Sequence, residues 1–200
     1  WYAVWDPPIP APAFFPARDR KLHSFLRKRV SAAYSMTSIL KYEEPIQGLL
    51  GLMIERLRLQ AKAGNAINLG DWTGALAFDV VGVLGFGAPF EHLQNDAADV
   101  MEIRSSVLEL FFWGQCMGHY WGQMKLLRNA LTLKLMALAG IKDKIAGFQK
   151  WSAERVTARM AEKKDGVQHP DMLAHFVNMK AQNGEPASFP EVLVEALNLV

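Results

Sequence analysis

Six apolar residues between Ile46 and Leu57 constrain this chain more than any other feature. Ile46, Leu49, Leu50, Met53, Ile54 and Leu57 recur at i, i+3, i+4, i+7, i+8 and i+11. That spacing places all six on one stripe of an α-helix, whereas a strand would scatter them over both faces. Pro45 sits near the start, where a missing N–H costs little, and Gly64 with Asn65 ends the pattern. A helix with one apolar stripe has to cover it, so the rest of the chain is read for what could pack there.

Partners are plentiful. Half of the 200 residues are hydrophobic and 21% are charged, which gives enough material for a packed core. Residues 1–17 form a proline-rich, loop-like segment, because proline removes donors and disfavours helix in the residue before it. Pro7 and Pro10 also fit a PxxP spacing, though that spacing is common by chance. Residues 18–200 read as helical. Asp19 to about Met36 contains no glycine or proline, and Leu22, Leu26, Val30 and Ala33 share a face.

Further along, "AINLG" (66–70) could be one short strand. "DWTGALAFDVVGVLGFG" is apolar nearly all round; its length favours a helix over a strand, with Asp71 as N-cap. Asp96 to Phe112 predicts an amphipathic helix with Val100, Ile103, Val107, Leu110 and Phe111 inward. Asp143 to Lys164 predicts another, with Ile145, Phe148, Val156 and Met160 inward. Pro170 and Asp171 open a shorter one carrying Leu173, Phe176 and Val177. "SFPE" has the form of a capping box, Ser188 with Glu191. No repeat is present. The fold class is mainly α, with little sheet.

The net charge of +2 argues against a nucleic-acid coat protein. The lone Cys116 excludes an internal disulfide framework. No apolar run spans a bilayer without interruption, and no signal pattern opens the chain. Trp1 in place of an initiator methionine, and the apolar run "VLVEALNLV" at the end, read as the two ends of a fragment of a longer protein.

No self-contained catalytic set is visible. A phosphate loop, a GxSxG elbow and an HExxH motif are all missing. Cys116 and His119 lie three apart in a glycine-broken stretch, where an incidental pair is commoner than a catalytic dyad. Asp79, inside an apolar helix, reads as a buried carboxylate with a structural hydrogen-bonding role. That leaves "RDRKLHSFLRKRV" (18–30). His23 and Arg27 are four apart and share a helical face, so two stacked donors could grip one carboxylate or phosphate. Arg20, Lys21, Lys28 and Arg29 lie on neighbouring faces and would form an outward patch. From the charges alone, a solvated basic face is the commoner outcome.

This stretch resembles helix C of fungal cytochromes P-450, the haem-thiolate monooxygenases, where a His-x-x-x-Arg pair faces the haem propionates. "AAYSM" (32–36) follows it as in that family. "FDVVGVLGFGAPFEHL" (78–93) resembles the helix E region, "HPDMLAHFV" (169–177) the stretch before helix I, and "SFPEVLVEALNLV" the opening of helix I. Four pieces in the right order are more specific than any one of them. The resemblance implies an incomplete part of the cytochrome P-450 helical fold, from before helix C to the start of helix I. It places the aromatic stretch "FFWGQCMGHYWG" between helices F and G.

It further implies haem as cofactor, with Arg27 on a propionate and His23 assisting. The acid–threonine pair, the Glu-x-x-Arg pair and the axial cysteine would lie outside this chain, and Cys116 matches neither the pattern nor the place of that cysteine. No catalytic residue falls within the chain. The implied activity is insertion of one oxygen atom from O2 into an apolar substrate, with electrons from an NADPH-dependent reductase. Lys21, Lys28 and Arg29 become candidates for the surface that meets this reductase. The implied location is the cytoplasmic face of the endoplasmic reticulum membrane. Two rival readings remain: a non-enzymatic helical module whose basic helix binds an acidic partner, and an inactive truncated product.

Overall fold

A computed structural model describes residues 5–6, 9–117, 129–138, 145–165 and 170–199. Among them the chain forms α1 (Arg20–Val30), α2 (Met36–Ile39), α3 (Glu43–Lys62), α4 (Leu69–Phe86) and α5 (Ile103–Met117). These are followed by α6 (Ala130–Leu138), α7 (Ile145–Lys164), α8 (Met172–Phe176) and α9 (Phe189–Leu197). The described residues hold no strand; one isolated bridge, Lys180 with Pro186, is the extent of extended pairing among them.

The helices begin and end where short polar side chains compete for the backbone. Asp19 caps α1 by accepting from the Leu22 N–H at 2.7 Å. That helix stops at Val30, six residues short of the predicted end. Ser31 turns its hydroxyl onto the Lys28 carbonyl, and Ser35 caps the new helix α2 at the Ser38 N–H. "AINLG" is not a strand: Asn68 accepts from the Gly70 N–H at 3.0 Å and Leu69 already belongs to α4. Asn68 therefore takes the capping role predicted for Asp71, which lies instead in the first turn of α4, where the helix dipole favours an acid.

α5 starts later than predicted. Asp96, Ala97, Met101 and Glu102 adopt left-handed backbone, and Asp99 accepts from the Arg104 and Ser105 N–H groups at 2.9 and 2.8 Å. Ile103 and Val107 are buried as expected, but Phe111 is exposed. The predicted capping box is present at α9: both Ser188 and Glu191 engage in it.

Two apolar clusters hold the array together. In one, Leu49 of α3 meets Trp72 and Ala75 of α4, with Leu93 and Ala97 from the following loop. In the other, Phe86, Phe90, Phe148, Val156, Leu173, Phe176 and Val192 bring α4, α7, α8 and α9 together with Val30 at the end of α1. Phe86 packs edge-on against Trp151 at 4.8 Å between ring centroids. α4 thus serves both clusters from opposite faces, which is why its sequence is apolar all round. It is long and apolar enough to cross a membrane by composition alone. Its interior Asp79, 1% exposed, accepts from the His92 and Leu93 N–H groups at 3.1 and 2.9 Å. This is the structural role read from the sequence, and it suits a core helix.

Candidate functional site

Helix α1 carries the candidate site. Its capped start fixes the rotation of the first turn, and the four-residue spacing then stacks His23 under Arg27. With Arg20, Ser24, Lys28 and Ser31 they line a concavity of about 380 Å³. His23 is half-buried and Arg27 is exposed. The lining contains arginines, a lysine, a histidine and hydroxyls, and no acid. Such a set offers donors and positive charge without an internal counter-ion, so its complement is a carboxylate or phosphate. Lys28, in this lining, and Lys21, outside it, are both exposed.

Arg29 does not belong to this outward patch, which corrects the sequence reading. Its side chain is 5% exposed and turned to the opposite side of α1. Nη1 donates to Glu191 Oε1 at 2.8 Å, and Nη2 donates to Glu195 Oε1 at 3.0 Å. The Arg29 carbonyl lies 3.0 Å from His175 Nε2 of α8. Burial alone would raise the Glu191 carboxyl, but hydrogen bonds from Ser188 and Arg29 outweigh it and hold the group below its usual range. Glu195 goes the other way: burial pushes it up against the pull of Arg29. Burial, with the nearby Glu195 charge, pushes the Tyr34 phenol up to about 12.

Sequence reasoning missed this cluster, although one signal was present. Glu195 is an acid inside the apolar run "VLVEALNLV", and such a residue needs a partner. Glu191 stands four residues earlier, on the same face of α9.

The other sequence candidates separate. Cys116 is exposed on α5, while His119 and the aromatic stretch from residue 118 onward lie outside the described residues. Phe111 and Phe112 of that stretch are exposed. The described residues contain no cluster of three or more metal-ligating side chains. A larger cavity of about 740 Å³ lies between the α1–α2 turn, α7 and α8. Its charges are largely satisfied internally: Arg159 Nη1 donates to Asp171 at 2.6 and 2.5 Å, and Lys163 Nζ donates to the Val177 carbonyl at 2.6 Å.

Comparison with known proteins gives one consistent answer. The cytochrome P450 family model matches residues 13–200. The chain is 28% identical to the cytochrome P450 monooxygenase astJ of Aspergillus oryzae, over 91% of this chain and 35% of that protein. It is 27% identical to the cytochrome P450 monooxygenase pkfB of Emericella nidulans, over 92% of this chain and 36% of that one. It is 35% identical to the cytochrome P450 monooxygenase prhB of Penicillium brasilianum, over 51% of this chain and 21% of that protein. The chain thus spans about a third of the length of the first two relatives.

Proposed function

The chain belongs to the cytochrome P450 family, and from that premise we propose that it is part of a haem-dependent monooxygenase. The complete protein would insert one oxygen atom from O2 into an apolar organic substrate, with electrons from an NADPH-dependent reductase. It would work at the cytoplasmic face of the endoplasmic reticulum membrane. When bound, the haem would supply the redox chemistry that activates oxygen, and its iron ligand would be supplied by a residue other than those of the described site.

The observation that carries the reading is the acid-free concavity around His23 and Arg27. The donor set fits the acidic side groups of haem. Arg27 would hold a propionate through its planar fork, and His23, one turn earlier on the same face, would donate a second hydrogen bond. Lys21, exposed outside the concavity, and Lys28, exposed within its lining, would present positive charge to the reductase. Arg29 is excluded from that surface by its ion pairs with α9.

The test uses the complete protein. A carbon-monoxide absorption band at the position given by thiolate ligation is expected, and its absence ends the reading. Arg27→Ala is expected to lower haem retention several-fold; unchanged retention removes Arg27 from the site.

A further inference from the structure

Arg29 joins three helices. Its guanidinium spans Glu191 and Glu195, which are four residues apart and so lie on successive turns of α9. Glu191 divides its oxygens: Oε1 accepts from Arg29, while Oε2 accepts from the Ser188 N–H and hydroxyl at 3.0 and 2.9 Å. The start of α9 is therefore tied to α1 through one side chain. The Arg29 carbonyl is tied to α8 through His175.

A planar fork that bridges two turns resists both sliding and rotation. Slippage of α9 by one turn moves its side chains by about 5.4 Å and breaks both ion pairs at once. The cluster is poorly suited to a purely stabilising role. Two carboxylates face one guanidinium, and the Glu195 side chain is fully buried. Burying charge costs desolvation that ion pairing offsets only in part, and apolar replacements of such clusters are often neutral for stability. What the ionic cluster supplies beyond buried area is a directional pairing that a slipped register would break.

We propose that Arg29 is a positioning residue: by clamping Glu191 and Glu195 it fixes the register of α9 against the helix that presents His23 and Arg27. The register itself depends only on these residues. Its use in holding haem against α9 rests on the function proposed above.

The experiment reads the α1–α9 distance directly in the complete protein. Ketone-bearing residues replace exposed Lys21 on α1 and Phe189 on α9 and carry spin labels for pulsed electron resonance. With Arg29 intact, one narrow distance is expected. Arg29→Met/Glu195→Met removes the central buried ion pair. It is expected to keep the melting temperature within a few degrees, yet to move the distance by about 5 Å or to spread it over several registers. Arg29→Lys keeps the charge without the fork and is expected to broaden the distance while the protein stays folded. An unchanged narrow distance in either variant overturns the proposal. So does collapse of the fold in the double variant, which would make the cluster a stability element. The carbon-monoxide band of the unsubstituted protein is read separately. Its absence removes the haem reading while leaving the register result intact.

Discussion

At the scale of residues, buried polar groups decide what each position tolerates. Asp79 accepts from two backbone N–H groups in the loop after α4, inside a region closed to water. Asp79→Ala leaves both donors unpaired, which is expected to cost about 2–5 kcal/mol, read as a drop in the urea midpoint. Asp79→Asn keeps one acceptor oxygen but turns an amide NH2 toward the second N–H, so it too is expected to destabilise; an Asn variant as stable as the parent would show that the carboxylate is not serving two donors. This role was legible in the sequence, because a carboxylate in "AFDVVGV" has to find partners. The identity of those partners was not, since they are backbone groups 13 and 14 residues away. The buried imidazole of His92 is a similar case. It stacks on Phe78 with ring centroids 5.8 Å apart, and nothing in its sequence neighbourhood marks it as core.

At the scale of elements, α4 shows why an all-round apolar helix forms here. One face meets α3 and the other meets α8, and small residues let the chain pass close by. A Cβ on Gly82 would come within 2.7 Å of the Ala88 carbonyl oxygen and 3.1 Å of the Phe90 nitrogen. Both are backbone atoms and cannot swing aside. Gly82→Ala would gain helix propensity worth about 1 kcal/mol, but the overlap with fixed backbone is expected to outweigh it. The net destabilisation is expected to be about 1–3 kcal/mol, measured by chemical unfolding. Gly87, with φ of 75°, ends the helix in the left-handed conformation typical of a C-terminal glycine. Helix positions were legible because periodicity and caps act within a few residues. The errors fell at boundaries: α1 against Ser31, α4 at Asn68, and α5 after the left-handed turn at Asp96 and Ala97.

At the scale of the whole molecule, the exposed apolar residues are grouped. Leu108, Phe111 and Phe112 on α5 are exposed, as are Leu131, Leu135 and Leu138 on α6. Apolar surface of this extent drives association in water. The chain also covers only about a third of the first two relatives it matches. Expressed by itself, the 200-residue chain is therefore expected to self-associate, as light scattering or size-exclusion chromatography would show. A monomer with one cooperative unfolding transition would contradict this and would mean that these faces are covered within the chain.

The mainly helical class, the capping box of α9, the structural reading of Asp79 and the family are legible in the order of residues, because each depends on local spacing or on the order of short motifs. How the basic run of α1 divides is set by long-range packing. Arg27 and Arg29 are the same residue type two positions apart, which puts them on opposite sides of a helix with 3.6 residues per turn. Sequence can state that they diverge, but not which of them is buried. That depends on Glu191 and Glu195, more than 160 residues away in the chain, arriving beside Arg29. The same arrival leaves His23 and Arg27 on the open side of α1, facing a concavity that contains no acid.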